Sequence, residues 1–428
     1  MSGLRFCMVT TFYPPHHFGG DAVSVQRFSR ALARRGHHVV VIYDVDAFKT
    51  LHDGPEPAVP PEEDGIEVVR LRSRLGTLSS LLTHQVGRPV VHESTIRKIL
   101  GAGNFDVINF HNVSLVGGPG VLSAGTGLKV YTAHEHWLVC PNHVLWRHGR
   151  EACTGKECTR CVIREGRPPQ PWRYTAYLER QLRHVDLFLA MSEFSRDKHH
   201  EFGFPFPMQV LPNFLPDPEP EEPATWSERP QQRPYFLFVG RLERIKGLDD
   251  VIPVFDSYPD ADLLVAGDGD HAPALKRLAA GNPRVKFLGR VPLADLPRYY
   301  RHAVAALVPS VCFESYGIVL IEAFRYGTPV IARRIGPFPD IVERAGGGEL
   351  FTTPAELRRS LHRLQHDGEL RRRLGGAGYQ GFLRHWSESA VIPRYLDLLH
   401  DAMDRKRSER AGSVREAPQP VAAGAGYV

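Results

Sequence analysis

Glu314 and Glu322 stand with seven residues between them in the run PSVCFESYGIVLIEAFRYGTPVIA, residues 309–332. The first falls in a loop after a strand-like run, and the second lies inside an apolar helical pattern, Ile318–Phe324. About two helical turns separate such a pair, so both carboxylates can face one cleft while reaching different parts of one ligand. A carboxylate accepts from two hydroxyls at once, which suits one glutamate to a ribose and the other to a hexose. Glu322 has Ile321 and Ala323 as neighbours, and a charge there is costly unless it has a partner. Upstream, GRLERIKG sets Arg241 and Lys246 five residues apart in a strand-to-helix loop, a fork and a point charge suited to a diphosphate. PPHHFGG brings Gly19 and Gly20 directly before the first helix, where free N–H groups and the partial positive charge of the helix favour an anion. Each signal alone is weak, because paired glycines make tight turns and basic loops are commonly just solvated. The GxGxxG fingerprint is absent, which disfavours a dehydrogenase.

A second constellation is CPNHVLWRHGREACTGKECTRC, with Cys140, Cys153, Cys158 and Cys161 spaced C-x12-C-x4-C-x2-C. Four thiolates can close a tetrahedral structural zinc site, with His143 and His148 as alternative ligands. Reduced structural cysteines, a redox pair or an iron–sulfur cluster remain open beside it. Cys7 and Cys312 read as ordinary buried residues.

These side chains need elements to hold them. At 428 residues the chain is too long for one core and suits two domains. Apolar runs at Arg5–Thr11, His38–Tyr43, Ile66–Leu71, Phe105–Phe110, Leu128–Ala133 and Leu187–Met191 alternate with helical patterns, the rhythm of a parallel sheet with crossover helices. Asp21 reads as the N-cap of the first helix and Gly36 as its stop. Proline-dense sequence from 212 to 234 reads as a linker, after which the rhythm restarts at Tyr235–Val239, Asp262–Ala266, Val285–Leu288, Ala305–Val308 and Pro329–Ala332. The expected fold is α/β, two facing doubly wound Rossmann-like domains over residues 1–211 and 235–405, with a cysteine-rich insertion at about 138–170. The final helix is expected to pack back on the first domain, with a disordered tail over 406–428. Ligands of such sheets sit beyond the carboxyl ends of the strands, which places the site in the interdomain cleft. The formal charge of +5 sits mainly in residues 1–215, with 24 Lys+Arg against 20 Asp+Glu. No run is long and apolar enough to span a bilayer, and six cysteines are too few for a disulfide scaffold, so the chain is expected in the cytoplasm.

The ordered set FES-YG-IVLIEA-GTPVIA, FYPPHHFGG, AMSEFSRD, VLPNF, VGRLERIKG, VAGDGD, VKFLGRV and IGPFPDIVE resembles the E-x7-E, retaining family-four glycosyltransferases of the GT-B fold. The resemblance covers roughly residues 5–400. It implies that Arg241 and Lys246 hold the donor diphosphate, together with the helix start at Gly317, Ile318 and Val319. It further implies Glu322 on the nucleotide ribose, Glu314 on the transferred sugar, and Gly19 and Gly20 near the phosphate or acceptor. His134, in VYTAHEHW, matches the histidine that contacts the donor sugar in similar enzymes. The family often has Asp where this chain has Glu135, whose role stays open. Some similar proteins carry a cysteine-bearing insertion at the corresponding place, which reads as a shared structural element.

The implied reaction is sugar transfer (EC 2.4) from a nucleotide-diphosphate sugar to a glycan, lipid-linked or small-molecule acceptor, in polysaccharide, glycolipid or metabolite assembly. It requires no metal or other cofactor for catalysis. Peripheral association with the inner membrane face is a softer expectation, and nucleic acid is not an expected partner. The triplets Asp44–Asp46, Asp260–Asp262 and Asp268–Asp270 read as loop and strand-end residues. Competing readings are an epimerase or phosphorylase on the same fold, and a silent scaffold that uses the cysteine loop.

Overall fold

The computed structural model describes residues 3–415 apart from 53, 62 and 220–223. The first half comprises β1 (Arg5–Val9), α1 (Gly20–Ala33), β2 (His38–Asp44), α2 (Val45–Leu51), β3 (Ile66–Leu71), α3 (Thr77–Val86), α4 (Glu93–Ala102), β4 (Val107–Phe110) and β5 (Leu128–Ala133). A hairpin of β6 (Trp146–Arg147) and β7 (Glu151–Ala152) follows, then α5 (Cys158–Arg164), α6 (Tyr177–Leu182), β8 (Leu187–Ala190), α7 (Glu193–Glu201) and β9 (Met208–Val210). Seven of these strands form a parallel sheet in the order β3-β2-β1-β4-β5-β8-β9. Helices cover both faces, so a strand such as β2 is buried almost throughout and reads as an unbroken apolar run.

The second half comprises β10 (Tyr235–Val239), α8 (Leu248–Val251), β11 (Asp262–Ala266), α9 (Ala272–Leu278), β12 (Val285–Gly289), α10 (Leu296–His302), β13 (Ala306–Val308), α11 (Ile318–Arg325), β14 (Val330–Arg333), α12 (Phe338–Ala345), β15 (Gly348–Phe351), α13 (Pro354–His366), α14 (Gly368–His385) and α15 (Glu388–Arg415). Its parallel sheet runs β12-β11-β10-β13-β14-β15. In both sheets the strand order reverses beside the first strand, between β1 and β4 and between β10 and β13. Doubly wound sheets collect ligands outside the carboxyl ends of the strands at such a reversal.

Several boundaries differ from the sequence expectation. Gly19, in extended backbone, is the N-cap of α1, and Asp21 falls in the first turn, where its carboxylate accepts from Asn112 Nδ2 at 3.3 Å instead of capping. The presumed linker is not all solvent-facing: Phe214 packs edge-on against Phe28, and Leu215 is buried in the second core with its N–H on Trp386 O at 3.0 Å. α15 continues as helix to Arg415, so residues 406–415, expected as tail, are helical; residues 416–428 lie outside the described residues. α15 returns to the first domain, where Tyr395 packs on Phe6 and Phe28 and its hydroxyl accepts from Asn109 Nδ2 at 2.9 Å. Among the described residues no helix is long and apolar enough to cross a membrane.

Candidate functional site

The loop after β13 carries Ser310, Cys312, Glu314 and Ser315. Glu314 Oε1 accepts from Lys246 Nζ at 2.6 Å and from Ser310 Oγ at 2.8 Å, and no hydrogen bond to Oε2 is recorded. Burial pushes this carboxyl up, but Lys246 and the Ser310 hydroxyl outweigh it and hold it below the ordinary carboxylate value. Lys246 is displaced upward: burial opposes its charge, and the facing Glu314 carboxylate more than compensates. Lys246 closes a short turn held by Gly247 at φ 73, where a Cβ would meet Pro309 O at 2.1 Å, so the β10 loop and the β13 loop touch there. Arg241 is paired with Glu243 at 2.8 Å and is half exposed, free to swing toward an incoming anion. Both predicted cations therefore border Glu314, each with a carboxylate partner that the spacing alone did not announce.

Glu322 of α11 is half-buried. Tyr300 Oη donates to its Oε2 at 2.9 Å, and Arg27 Nη2 of α1 stands 4.0 Å from its Oε1. Burial raises this carboxyl above its ordinary value, and Arg27 and Tyr300 oppose the rise. Gly317 caps α11 at φ 112, a conformation that side chains avoid, and a Cβ would meet Phe338 at 2.7 Å. The next N–H groups, of Ile318 and Val319, lie in the first turn ahead of any intrahelical partner and are half-buried. Gly19 and Gly20 differ: a Cβ at Gly20 would meet nothing within 4 Å, so the fold itself has room for a side chain at the start of α1.

His134 follows β5 and is buried. Its carbonyl accepts from Ser315 Oγ at 2.5 Å, and Ser315 O accepts from Ser192 Oγ, the N-cap of α7, at 2.8 Å. The E-x7-E loop of the second domain is thereby pinned to two strand ends of the first. His134 Nε2 stands 2.9 Å from Nδ1 of His111, which follows β4, and the rings stack. Burial pushes both imidazoles below their ordinary value. His134 Nδ1 is buried without a hydrogen-bond partner. Glu135 points away to His143, at 2.7 Å.

Sequence reading missed Arg27, His111, Ser192, Ser310, Ser315 and Tyr300. Ser310 sits four residues before Glu314 and was findable; the others meet their partners only across the fold.

The four cysteines lie in one segment, Cys158 and Cys161 in α5, but no three of their sulfurs lie within 4.8 Å of one another. Among the described residues, the one group of three or more potential ligands that close is Asp44, Asp46 and His92. Two of those three have structural bonds: Asp44 caps α2, and Asp46 accepts from Ser73 N and Oγ at 2.8 and 2.6 Å. In the cysteine loop, Cys161 Sγ accepts from His148 N–H at 3.2 Å and Asn142 Nδ2 at 3.4 Å, and Cys153 Sγ donates to Gly155 O at 3.1 Å. His143, Leu145 and His148 all adopt positive φ there.

Comparison with known proteins gives two family matches in order along the chain. Residues 18–219 match the family described as Glycosyltransferase Family 4, and residues 223–381 the one described as Glycosyl transferases group 1. The D-inositol 3-phosphate glycosyltransferase of Corynebacterium kroppenstedtii is 34% identical over 196 residues, 42% of this chain and 43% of that protein. This chain thus matches less than half the length of that relative. Among solved structures, sucrose-phosphate synthase from Thermosynechococcus elongatus superposes with a TM-score of 0.73 at 19% identity, over 94% of this chain and 100% of that one. Anabaena Alr3699/HepE, crystallised with UDP and glucose, superposes with a TM-score of 0.63 at 19% identity, over 93% and 99%. At these identities the structural likeness is one of fold.

Proposed function

This chain belongs to the glycosyltransferases of the GT-B fold, and from that membership we propose that it moves a sugar, with retained anomeric configuration, from a nucleotide-diphosphate sugar to a glycan, lipid-linked or small-molecule acceptor. The observation that carries this reading is the Lys246–Glu314–Ser310 group at the β10/β13 reversal, joined to His134 through Ser315. Glu314 offers its unused Oε2 to a sugar hydroxyl, while Lys246, with three donors, keeps Glu314 and serves an anion as well. As the anomeric C–O bond breaks, its electron pair passes to the diphosphate. Lys246, Arg241 and the first-turn N–H groups of Ile318 and Val319 stabilise that charge as preorganised donors. The acceptor oxygen bonds the anomeric carbon on the face the diphosphate leaves, and its proton goes to the departing phosphate oxygen, so side-chain cations meet the demand. Glu322 accepts the ribose hydroxyls, and Gly19 and Gly20 leave space for a ligand at the start of α1. The Anabaena protein of the same fold is crystallised with UDP and glucose, which makes UDP-glucose the first donor to test.

The test is titration of the full chain with UDP-, GDP- and ADP-sugars. At least one donor binds, and Glu322→Ala weakens it by about tenfold or more, as expected for hydrogen bonds to a charged group worth about 1.5–3 kcal/mol. Product NMR shows the donor's anomeric configuration. No donor binding, together with indifference to substitution of either glutamate, refutes the reading.

The cysteine loop is part of the same proposal, as a structural zinc site supporting the segment after His134. Its support is four thiols within 22 residues and N–H donors already directed at Cys161 Sγ, the kind of bond that stabilises a thiolate. Zinc would draw the sulfurs together, since no three of them lie within 4.8 Å of one another.

A further inference from the structure

α3 is built inside out. Its buried residues are Ser79, Ser80 and Thr83, and the Ser79 and Ser80 hydroxyls are buried without a hydrogen-bond partner. Its outer side carries leucines. Leu75, Leu78, Leu81, Val86 and Val90 are between 39% and 50% exposed. Soluble helices place the apolar stripe inward and polar residues outward, so this inversion costs stability on both sides unless the outer face is covered. The exposed Tyr174, from the turn that packs against α3, adds an aromatic at the same edge.

The sequence through this face is basic. Residues 68–92 contain Arg70, Arg72, Arg74 and Arg88 and no acidic residue. Arg72, Arg74 and Arg88 are exposed, and Arg72 reaches Glu56. His84 of α3 is pushed down to about 4, by burial first and then by the positive charge of His143, Arg173 and Arg167. Arg74 just before α3 and Arg88 just after it are exposed, so cations flank the exposed apolar residues at both ends of the helix.

An apolar helix face flanked by the exposed Arg74 and Arg88, with no acidic residue between them in sequence, matches the two-part character of an anionic bilayer surface: acyl carbon for the leucines, phosphate for the arginines. We propose that the α3 face is a docking site for an anionic lipid surface. A protein partner or a second copy would need acidic groups opposite the arginines, and the one sign of charge favours a uniformly anionic surface. The inference does not depend on the donor chemistry. It makes a lipid-linked acceptor the natural choice among the three acceptor classes, since docking brings the first domain to the membrane.

The experiment is sedimentation of the full chain with vesicles of phosphatidylcholine alone and of phosphatidylcholine containing phosphatidylglycerol. The chain binds the anionic vesicles selectively, and binding weakens as salt shortens the screening length. Arg74→Gln/Arg88→Gln lowers binding about thirtyfold, near fivefold per arginine. Leu78→Gln/Leu81→Gln lowers it about tenfold or more while the melting temperature holds or rises. Donor binding, measured in parallel, is the same in all variants, so failure here is separable from failure of the transferase reading. Equal binding to neutral vesicles, no binding, or insensitivity to both double variants overturns the proposal. A concentration-dependent dimer that the leucine variant dissolves also overturns it, in favour of a second copy on this face.

Discussion

Two stacked imidazoles at the ends of β4 and β5 share one hydrogen bond, and their proton count decides what His134 presents to a sugar. His111 Nε2 stands 3.5 Å from the Met8 sulfur, which can only accept, so the His111 proton sits on Nε2. His111 Nδ1 then accepts, His134 Nε2 is the donor across their 2.9 Å contact, and His134 Nδ1 is left as a bare, buried lone pair. In the proposed site His134 would accept from a hydroxyl, with His111 as the positioning residue that fixes the tautomer. With nitrogen-labelled histidine, His134 Nδ1 is expected in the unprotonated range, and since burial lowers its value, the neutral form persists to below pH 6.5. The acid limb of kcat/KM accordingly falls below 6.5. His111→Leu removes the acceptor and costs about tenfold in kcat/KM, on the scale of 1–3 kcal/mol for an unsatisfied buried donor, while His111→Gln, which keeps an acceptor, recovers most of it. A His134 that titrates at the ordinary value in both variants would show that the pair does not set the tautomer.

At the scale of elements, the cysteine loop is held by little else. Beyond Leu145 and Val162 it buries few apolar side chains, and its backbone carries three non-glycine residues at positive φ. The proposed zinc ion would offset such strain by tying the loop's ends together. Elemental analysis of protein made without metal-binding tags is expected to find about one zinc per chain, and chelation to lower the melting temperature. A zinc-free preparation that melts and turns over unchanged would leave the thiols as plain loop residues. The same element scale shows what sequence could read. Strands buried on both faces, such as β2, β5 and β11, are continuous apolar runs and announce themselves. Missed were the short edge strands β9 and β15, where MQV and GELF mix polar with apolar residues, and α3, whose polar residues point inward against the usual periodicity. The loop residues Glu314, Lys246 and Arg241 were legible because they follow strands; Arg27 and Tyr300 were not, because only tertiary packing brings them to Glu322.

At the scale of the whole molecule, the two domains are joined at the cleft and again at the back. At the cleft Ser315 meets His134 and Ser192, Arg27 stands near Glu322, Phe313 packs against Phe194 and Lys198, and Arg344 pairs with Glu193 at 3.2 Å. At the rear, α15 leaves the second domain to lay Val391, Ile392, Tyr395 and Leu399 into the first core beside Phe28 and Phe214. Its first residue is held too, as Glu388 accepts from Arg34 and Arg35 of the first domain at 2.5 and 2.6 Å. The second domain has its own cover in α13 and α14, so α15 serves the first domain's stability more than its own. Tyr395→Phe leaves Asn109 Nδ2 without its acceptor in a buried site, at about 1–3 kcal/mol. Tyr395→Ala also opens a cavity against Phe6 and Phe28, at about 3–5 kcal/mol in all. The loss falls on the first domain, so calorimetry of Tyr395→Ala should show an early transition splitting from a second that holds its temperature, and added donor should protect the latter. A single transition that shifts as one would mean the two domains unfold together and that α15 stabilises both.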